Sequence, residues 1–285
     1  MRTFILGTDW WDDCDDAVAI RLLARAHKTG KIKLAGIGIN ACMEDSVAAL
    51  DGFLHSEQVY DVPVGIDLQA DDFGGRFTYQ KNLVSMAEKY RSNQDAEDAA
   101  ALYCRLLRDA PQQVEIIEIG FLNVIAAVLE REPELFREKV AKVWVMAGRW
   151  NVEGGLENNF ARNTRARSAA SRFCAQCPVP VTFLGWEVGA TVVTGGNLPA
   201  NDVLAQILRD HGSANGRYSW DPMLTLLALT GEEARAGYDT VRGVASVEPE
   251  SGANYFRVCR NGKHQYVVKR EPDSFYQAWI NGLLR

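Results

Sequence analysis

Gly7-Thr8-Asp9-Trp10-Trp11-Asp12-Asp13-Cys14-Asp15-Asp16-Ala17-Val18-Ala19-Ile20 decides how the rest of the chain is read. It follows a short apolar run, Phe4-Ile5-Leu6, that reads as a strand. It leads into residues 16–26, which carry the apolar stripe of a helix. Five carboxylates, Asp9, Asp12, Asp13, Asp15 and Asp16, fall within eight positions of that loop. Like charges so close repel and raise one another's pKa. A hard divalent cation, Ca²⁺ or Mg²⁺, relieves the repulsion because it takes oxygen ligands. Acidic residues also complement the dipole at a helix start and cap its free N–H groups. Capping uses one or two carboxylates, so one Asp of the group is expected to cap and the surplus is expected to hold a metal.

Outward from this loop, strand and helix patterns alternate. Residues 33–39 and 62–66 read as strands with a helix at 45–55 between them. Helical patterns at 99–108, 123–131 and 166–174 then alternate with strand patterns at 114–119, 143–146 and 179–184. This predicts an α/β fold, a mostly parallel central sheet flanked by helices. Residues 67–97 are polar and rich in Asp and Gly, and read as a long loop with one helix, the kind of segment that often serves as a lid. No linker, repeat or low-complexity tract interrupts the series, so residues 1–285 read as one domain. Ligands of open α/β sheets sit beyond the carboxyl ends of the strands, where the acidic loop lies.

Bulk properties narrow the function. The 285 residues are 47% apolar, enough for a substantial core, and the net charge is −6. No Lys/Arg run suggests a nucleic-acid partner, so a small-molecule substrate is expected. The N-terminus lacks a signal-peptide pattern, and no apolar run approaches the ~18 residues of a membrane span. Six scattered cysteines predict reduced thiols and a cytoplasmic setting. Cys174-Ala175-Gln176-Cys177 lacks the two further ligands a zinc site needs, and it closes a helical stretch where a redox pair would open one. Buried thiols at a helix end are expected there. A haloacid-dehalogenase-type phosphatase also opens with an acidic loop, but it would want an Asp-x-Asp pair closing the first strand. Gly7 stands two residues before Asp9, which weakens that reading.

With these motifs in view, the sequence resembles the inosine–uridine-preferring nucleoside hydrolase family. That family opens with Asp-x-Asp, a short Gly-containing loop, and Asp-Asp-Ala entering a helix. Here Gly7-Thr8-Asp9, a longer loop and Asp15-Asp16-Ala17 correspond. Gly38-Ile39-Asn40 follows the second strand, where the family places a ribose-binding Asn. Ile119-Gly120-Phe121-Leu122-Asn123 is similar to its Gly-Pro-Leu-Thr-Asn turn, and Val145-Met146-Ala147-Gly148 to its Met-Gly-Gly turn. Glu157-Asn158-Asn159-Phe160 is similar to Glu-Phe-Asn-Ile, and Trp220-Asp221-Pro222 to His-Asp-Ala at a late helix. Residues 255–284 resemble its closing β segment and final helix, so the likeness covers essentially the whole chain.

The resemblance implies a nucleoside hydrolase-like fold and Ca²⁺-dependent hydrolysis of the N-glycosidic bond of a ribonucleoside or related N-riboside. It implies metal ligation by Asp9, Asp16, the Ile119 carbonyl and Asp221, with Asp9 also the general base for water. It implies substrate contacts from Asp15, Asn40, Glu157, Asn159 and Trp220, with Asp13 serving either task, and a homo-oligomer, dimer or tetramer. Departures fall mainly on the leaving-group side. The opening loop is longer, Gly7 replaces the first Asp, and Trp220 replaces the His that protonates the departing base. The family's His-Gly in the long loop is absent, with Asp72-Phe73-Gly74-Gly75-Arg76 in that region. Trp10, Trp11, Trp150 or Trp220 would rescue the base's departure by stacking on it; otherwise these are core or rim residues, as is expected of Trp144 and Trp279. A catalytically weak ribose- or nucleoside-binding protein of the same fold is the alternative.

Overall fold

The chain begins with a strand whose neighbours come from its two halves. The structure, a computed structural model, describes residues 1–74 and 79–285. Strands β1 (Arg2–Thr8), β2 (Ile32–Ile39), β3 (Val64–Ile66) and β4 (Glu97–Asp98) lie side by side, all parallel. The chain then returns to the other side of β1 with β5 (Val114–Glu118), β6 (Val140–Met146) and β7 (Val181–Leu184), also parallel. A small antiparallel pair, β8 (Val193–Thr194) and β9 (Arg217–Tyr218), stands apart. Strands β10 (Tyr238–Val247), β11 (Asn254–Val258) and β12 (His264–Lys269) extend the main sheet beyond β7. The ten-stranded order is β11-β10-β12-β7-β6-β5-β1-β2-β3-β4, antiparallel only around β10. The direction of winding reverses between β1 and β5. Such a switch point opens a crevice at the carboxyl ends of the two strands.

Helices cover both faces. On one side lie α1 (Asp15–Lys28), α2 (Ser46–Ser56) and the short α3 (Gln80–Leu83); on the other lie α4 (Ala99–Asp109), α5 (Asn123–Arg131) and α6 (Pro133–Lys139). Then come α7 (Asn158–Ala161), α8 (Thr164–Gln176), α9 (Trp186–Gly189), α10 (Val203–Asp210), α11 (Trp220–Thr230) and α12 (Asp273–Leu283). The period of two along β1 divides the core: Phe4 and Leu6 join the cluster under α1, α2 and α11, while Ile5 joins the one under α4, α5 and α8. Because both faces are covered, β1 is buried along most of its length.

The expected strand–helix series is present, with boundaries shifted by a few residues. The described part of 67–97 is a packed wall rather than a bare loop. Tyr79 is fully buried edge-on to Trp10, Leu83 is buried, and Glu97–Asp98 add an edge strand. These contacts are long-range, so local periodicity does not report them. Cys174 and Cys177 are buried at the end of α8, as expected. Trp144 is buried on β6 and donates Nε1–H to Glu115; Trp279 packs half-buried on α12. The expected Asp cap is not made. The N-cap of α1 is Cys14, without a side-chain cap bond, because the flanking carboxylates are engaged elsewhere. Among the described residues no helix is long and apolar enough to cross a membrane.

Candidate active site

The loops after β1, β5, β6 and β7 and the start of α11 meet over the switch point. They enclose a cavity of about 200 Å³ lined by Asp9, Asp13, Asp15, Asp16, Ile119, Met146, Glu157, Asn158, Asn159, Trp186, Arg217, Trp220 and Asp221. The close approach of these loops rests on glycine. A Cβ on Gly120 would overlap the backbone N of Asp9 and the Asn40 Oδ1. Trp10 turns the chain directly after Asp9 with φ of 42°, a region that costs a bulky residue on the order of 1–3 kcal/mol. Its N–H donates to Thr8 Oγ1 at 3.1 Å and Asp16 Oδ1 at 3.3 Å, Gln80 donates to its carbonyl, and its ring stacks on Phe53. That packing holds the turn which aims Asp9 into the cavity.

Asp15, Asp16 and Asp221 form a close cluster, each offering an oxygen within 4.8 Å of the others. Asp15 and Asp16 come from the first turn of α1 and Asp221 from the first turn of α11, two helices packed together. Asp221 N–H donates to Asp15 Oδ2 at 3.1 Å, and the Thr8 hydroxyl donates to Asp16 Oδ1. Asp9 lies outside this trio but lines the same cavity. All four carboxylates are buried. Burial first, then mutual repulsion, pushes Asp9, Asp15 and Asp221 well above the usual carboxylate range. Burial also lifts Asp16 to about 7, against the pull of the Thr8 hydrogen bond.

This donor set fits a hard divalent ion. Among the described residues lining the cavity, Arg217 alone has a cationic side chain, and Asp13 already engages it. Buried carboxylates left without a counter-charge are costly, and oxygen-only ligands suit Ca²⁺ or Mg²⁺. The cluster can therefore hold a metal ion.

Beside the trio, Glu157 caps α7 by accepting from Asn159 N–H at 2.8 Å, and it also accepts from Gly148 N–H at 2.9 Å. Burial raises its carboxyl to about 7 despite these bonds. Asn159 Nδ2 donates to the carbonyls of Ile119, at 3.3 Å, and Met146, at 2.9 Å, so the carboxyl ends of β5 and β6 are tied to α7. Asn40 is not among the lining residues. Its Oδ1 accepts from Phe121 N–H at 3.0 Å, bracing the loop after β5 from behind. Asp13 lines the cavity and pairs with Arg217, whose Nε donates to Asp13 Oδ1 at 2.8 Å.

The family profile described as inosine-uridine preferring nucleoside hydrolase matches residues 4–254. The chain belongs to this family. It is an N-glycosyl hydrolase by membership, and the nucleoside hydrolase fold is borne out by solved structures. A purine-preferring ribonucleoside hydrolase from Gardnerella vaginalis is 20% identical, with a TM-score of 0.74 over 99% of each chain. An inosine-guanosine nucleoside hydrolase is 16% identical, with a TM-score of 0.73 over 100% of this chain and 99% of that one. The type III effector XopQ, solved with adenosine diphosphate ribose, is 15% identical, with a TM-score of 0.73 over 99% of this chain and 93% of that one. No curated protein matches the chain.

Of the two readings open for Trp10, Trp11 and Trp150, stacking on the base or packing in the core, the structure bears out the second. Trp10 is fully buried in the core, Trp11 lies against Phe121 beneath Arg162, and Trp150 packs among Phe160, Phe183, Phe256 and Tyr266. None is free to stack on a base. Trp220 does line the cavity, and its partner is Trp186, with ring centroids 6.5 Å apart at 28°. Sequence reading passed over Trp186 and Arg217. Trp186 sits two residues beyond β7, at a strand's carboxyl end, which was the available signal. Of the Asp72-to-Arg76 stretch, Gly75 and Arg76 lie outside the described residues. The Gly7 departure has a physical counterpart. Glu118 on the neighbouring strand fills the space a side chain at Gly7 would take, and Tyr103 O–H donates to its Oε1 at 3.2 Å.

Proposed function

We propose that the protein hydrolyses the N-glycosidic bond of a ribonucleoside or related N-riboside with Ca²⁺ as cofactor. The observation that carries this reading is the meeting of the buried Asp9, Asp15, Asp16 and Asp221, from sequence positions up to 212 residues apart, in one cavity over the switch point. Asp9, Asp16, Asp221 and the Ile119 carbonyl would hold the ion. When bound, Ca²⁺ neutralises the cluster and acidifies water at the site. Asp9, which lines the same cavity, would take a proton from that water as the general base. Asp15, Glu157 and Asn159 face the space for the sugar hydroxyls, with Asp13 at its margin. Asn40 contributes by holding the Phe121 loop. Trp220, paired with Trp186, would receive the base.

The six free thiols support a reducing, cytoplasmic setting. Family likeness supports a homo-oligomer, dimer or tetramer. The test is release of reducing sugar from a panel of purine and pyrimidine ribonucleosides. Release from at least one is expected, and release from none contradicts the reading. A second reading, a nucleoside or ADP-ribose binder with weak catalysis, is favoured by Trp220 standing in place of the family's His and by the likeness to XopQ. Calorimetric binding of ADP-ribose without sugar release would support it.

A further inference from the structure

We propose that Arg217 receives the departing aglycone, and that the preferred substrates are ribosides whose aglycone leaves as a stabilised anion, such as an acidic oxo-substituted heterocycle. This rests on the hydrolase reading of the same site. Arg217 lines the cavity together with Trp186 and Trp220. Its guanidinium lies 5.5 Å from the ring centroids of both Tyr218 and Trp220. Asp13 fixes it through two of its nitrogens. Two departures from the family pattern therefore meet at one place. The longer opening loop carries Asp13, Asp13 holds Arg217, and Arg217 flanks the Trp220 that stands in place of a histidine.

The chemistry follows from the side chain. Histidine can protonate a leaving nitrogen, whereas arginine does not give up a proton at neutral pH. Pairing with Asp13 holds the guanidinium still more firmly charged. It can only stabilise negative charge as that charge develops. In the step, the bond from C1′ to the aglycone breaks and its electron pair leaves on the aglycone. The oxygen of water bonds to C1′ and its proton passes to Asp9. The aglycone anion, held against Arg217, takes a proton from solvent after release. The flanking rings form a partly desolvated wall in which a charge-to-charge contact weighs more than in water.

The test uses aryl ribosides graded in leaving-group acidity, from methoxyphenyl to dinitrophenyl, together with uridine and inosine. Wild type, Arg217→Gln and Arg217→Lys are compared, with thermal unfolding and ribose inhibition measured for each. Arg217→Gln is expected to lower kcat/KM about 10²–10³-fold for the least acidic leaving group and far less for the most acidic, steepening the leaving-group dependence. Ribose inhibition should stay the same, and Arg217→Lys should fall between the two. If Arg217→Gln does not fold, the Lys variant carries the same comparison of slopes. An equal loss for every leaving group, or no loss, overturns the proposal and leaves the hydrolase reading standing. A wild type that cleaves none of these ribosides overturns both.

Discussion

The two walls of the cavity are made of different materials. On the carboxylate side, Asp9, Asp15, Asp16 and Asp221 are 7%, 3%, 1% and 4% exposed and are set by strand ends and helix starts. On the aromatic side, Trp186 is 40% exposed and Arg217 is half-buried, and they come from a four-residue helix and a two-residue strand. The first wall is fixed by the fold's topology, since β1 and β5 must diverge where they do. The second is hung on loops between β7 and α11, which can change without disturbing the sheet. Retention of the carboxylates beside a tryptophan in place of the family's histidine is the pattern this division predicts.

The largest effects should come from the buried wall. Asp9→Asn is expected to lower kcat by about 10²–10⁴-fold, the worth of a positioned base, while sugar binding persists. Steady-state kinetics with ribose inhibition would check it, and an unchanged kcat would remove Asp9 from the mechanism. Gly7→Asp places a side chain in the space of Glu118 and is expected to destabilise by about 1–3 kcal/mol or more, as overpacked cores do. Gly7→Asp with Glu118→Gly should recover much of that loss in denaturant unfolding. No recovery would mean the two positions do not share one space.

The exposed wall should answer in binding. Trp186→Ala removes one ring of the Trp186–Trp220 pair and is expected to raise KM roughly 5- to 150-fold with little change in kcat, stacking on a base being worth about 1–3 kcal/mol. A drop in kcat at constant KM would instead place Trp186 in the chemistry.

The smallest effect lies outside both walls. His264, buried on β12 and accepting from Ala245 N–H at 2.9 Å, is pushed down to about 4 by burial and then by Lys263. Between about 4 and 6.5 the unfolded chain therefore binds more protons than the folded one. The contribution of His264 is fully present above about pH 6.5 and is lost as pH falls toward 4, by at most about 1.4 kcal/mol for each step of one in pH. Urea unfolding at pH 5 and 7 should show a smaller pH difference in His264→Gln than in wild type. An equal difference would assign the acid sensitivity elsewhere.

Much of the buried wall was legible in the sequence. Five carboxylates in eight positions cannot be placed together without a charge partner, and Asp221 was reachable through the Trp220-Asp221-Pro222 motif. The parallel sheet was legible because its strands, buried on both faces, read as apolar runs. The exposed wall was not. Trp10, Trp11, Trp150 and Trp220 look alike as letters, and only packing separates three core rings from one at the cavity. Arg217 acquires its place through Asp13, 204 residues away, and nothing local to either residue reports that pairing. The capping role expected of an Asp failed for a related reason: Asp13 turned to Arg217 and Asp16 to Thr8, leaving Cys14 at the helix start.

The dependence of sugar release on a divalent ion tests the central claim most directly. Ribose release from a cleaved N-riboside is measured before chelation, after removal of the chelator and ion, and after add-back of Ca²⁺ or Mg²⁺. Loss of release on chelation and recovery with Ca²⁺, absent in Asp16→Ala and Asp221→Ala, is the expected result. Release that continues undiminished in the chelated protein would contradict the assignment of the buried carboxylates to a metal.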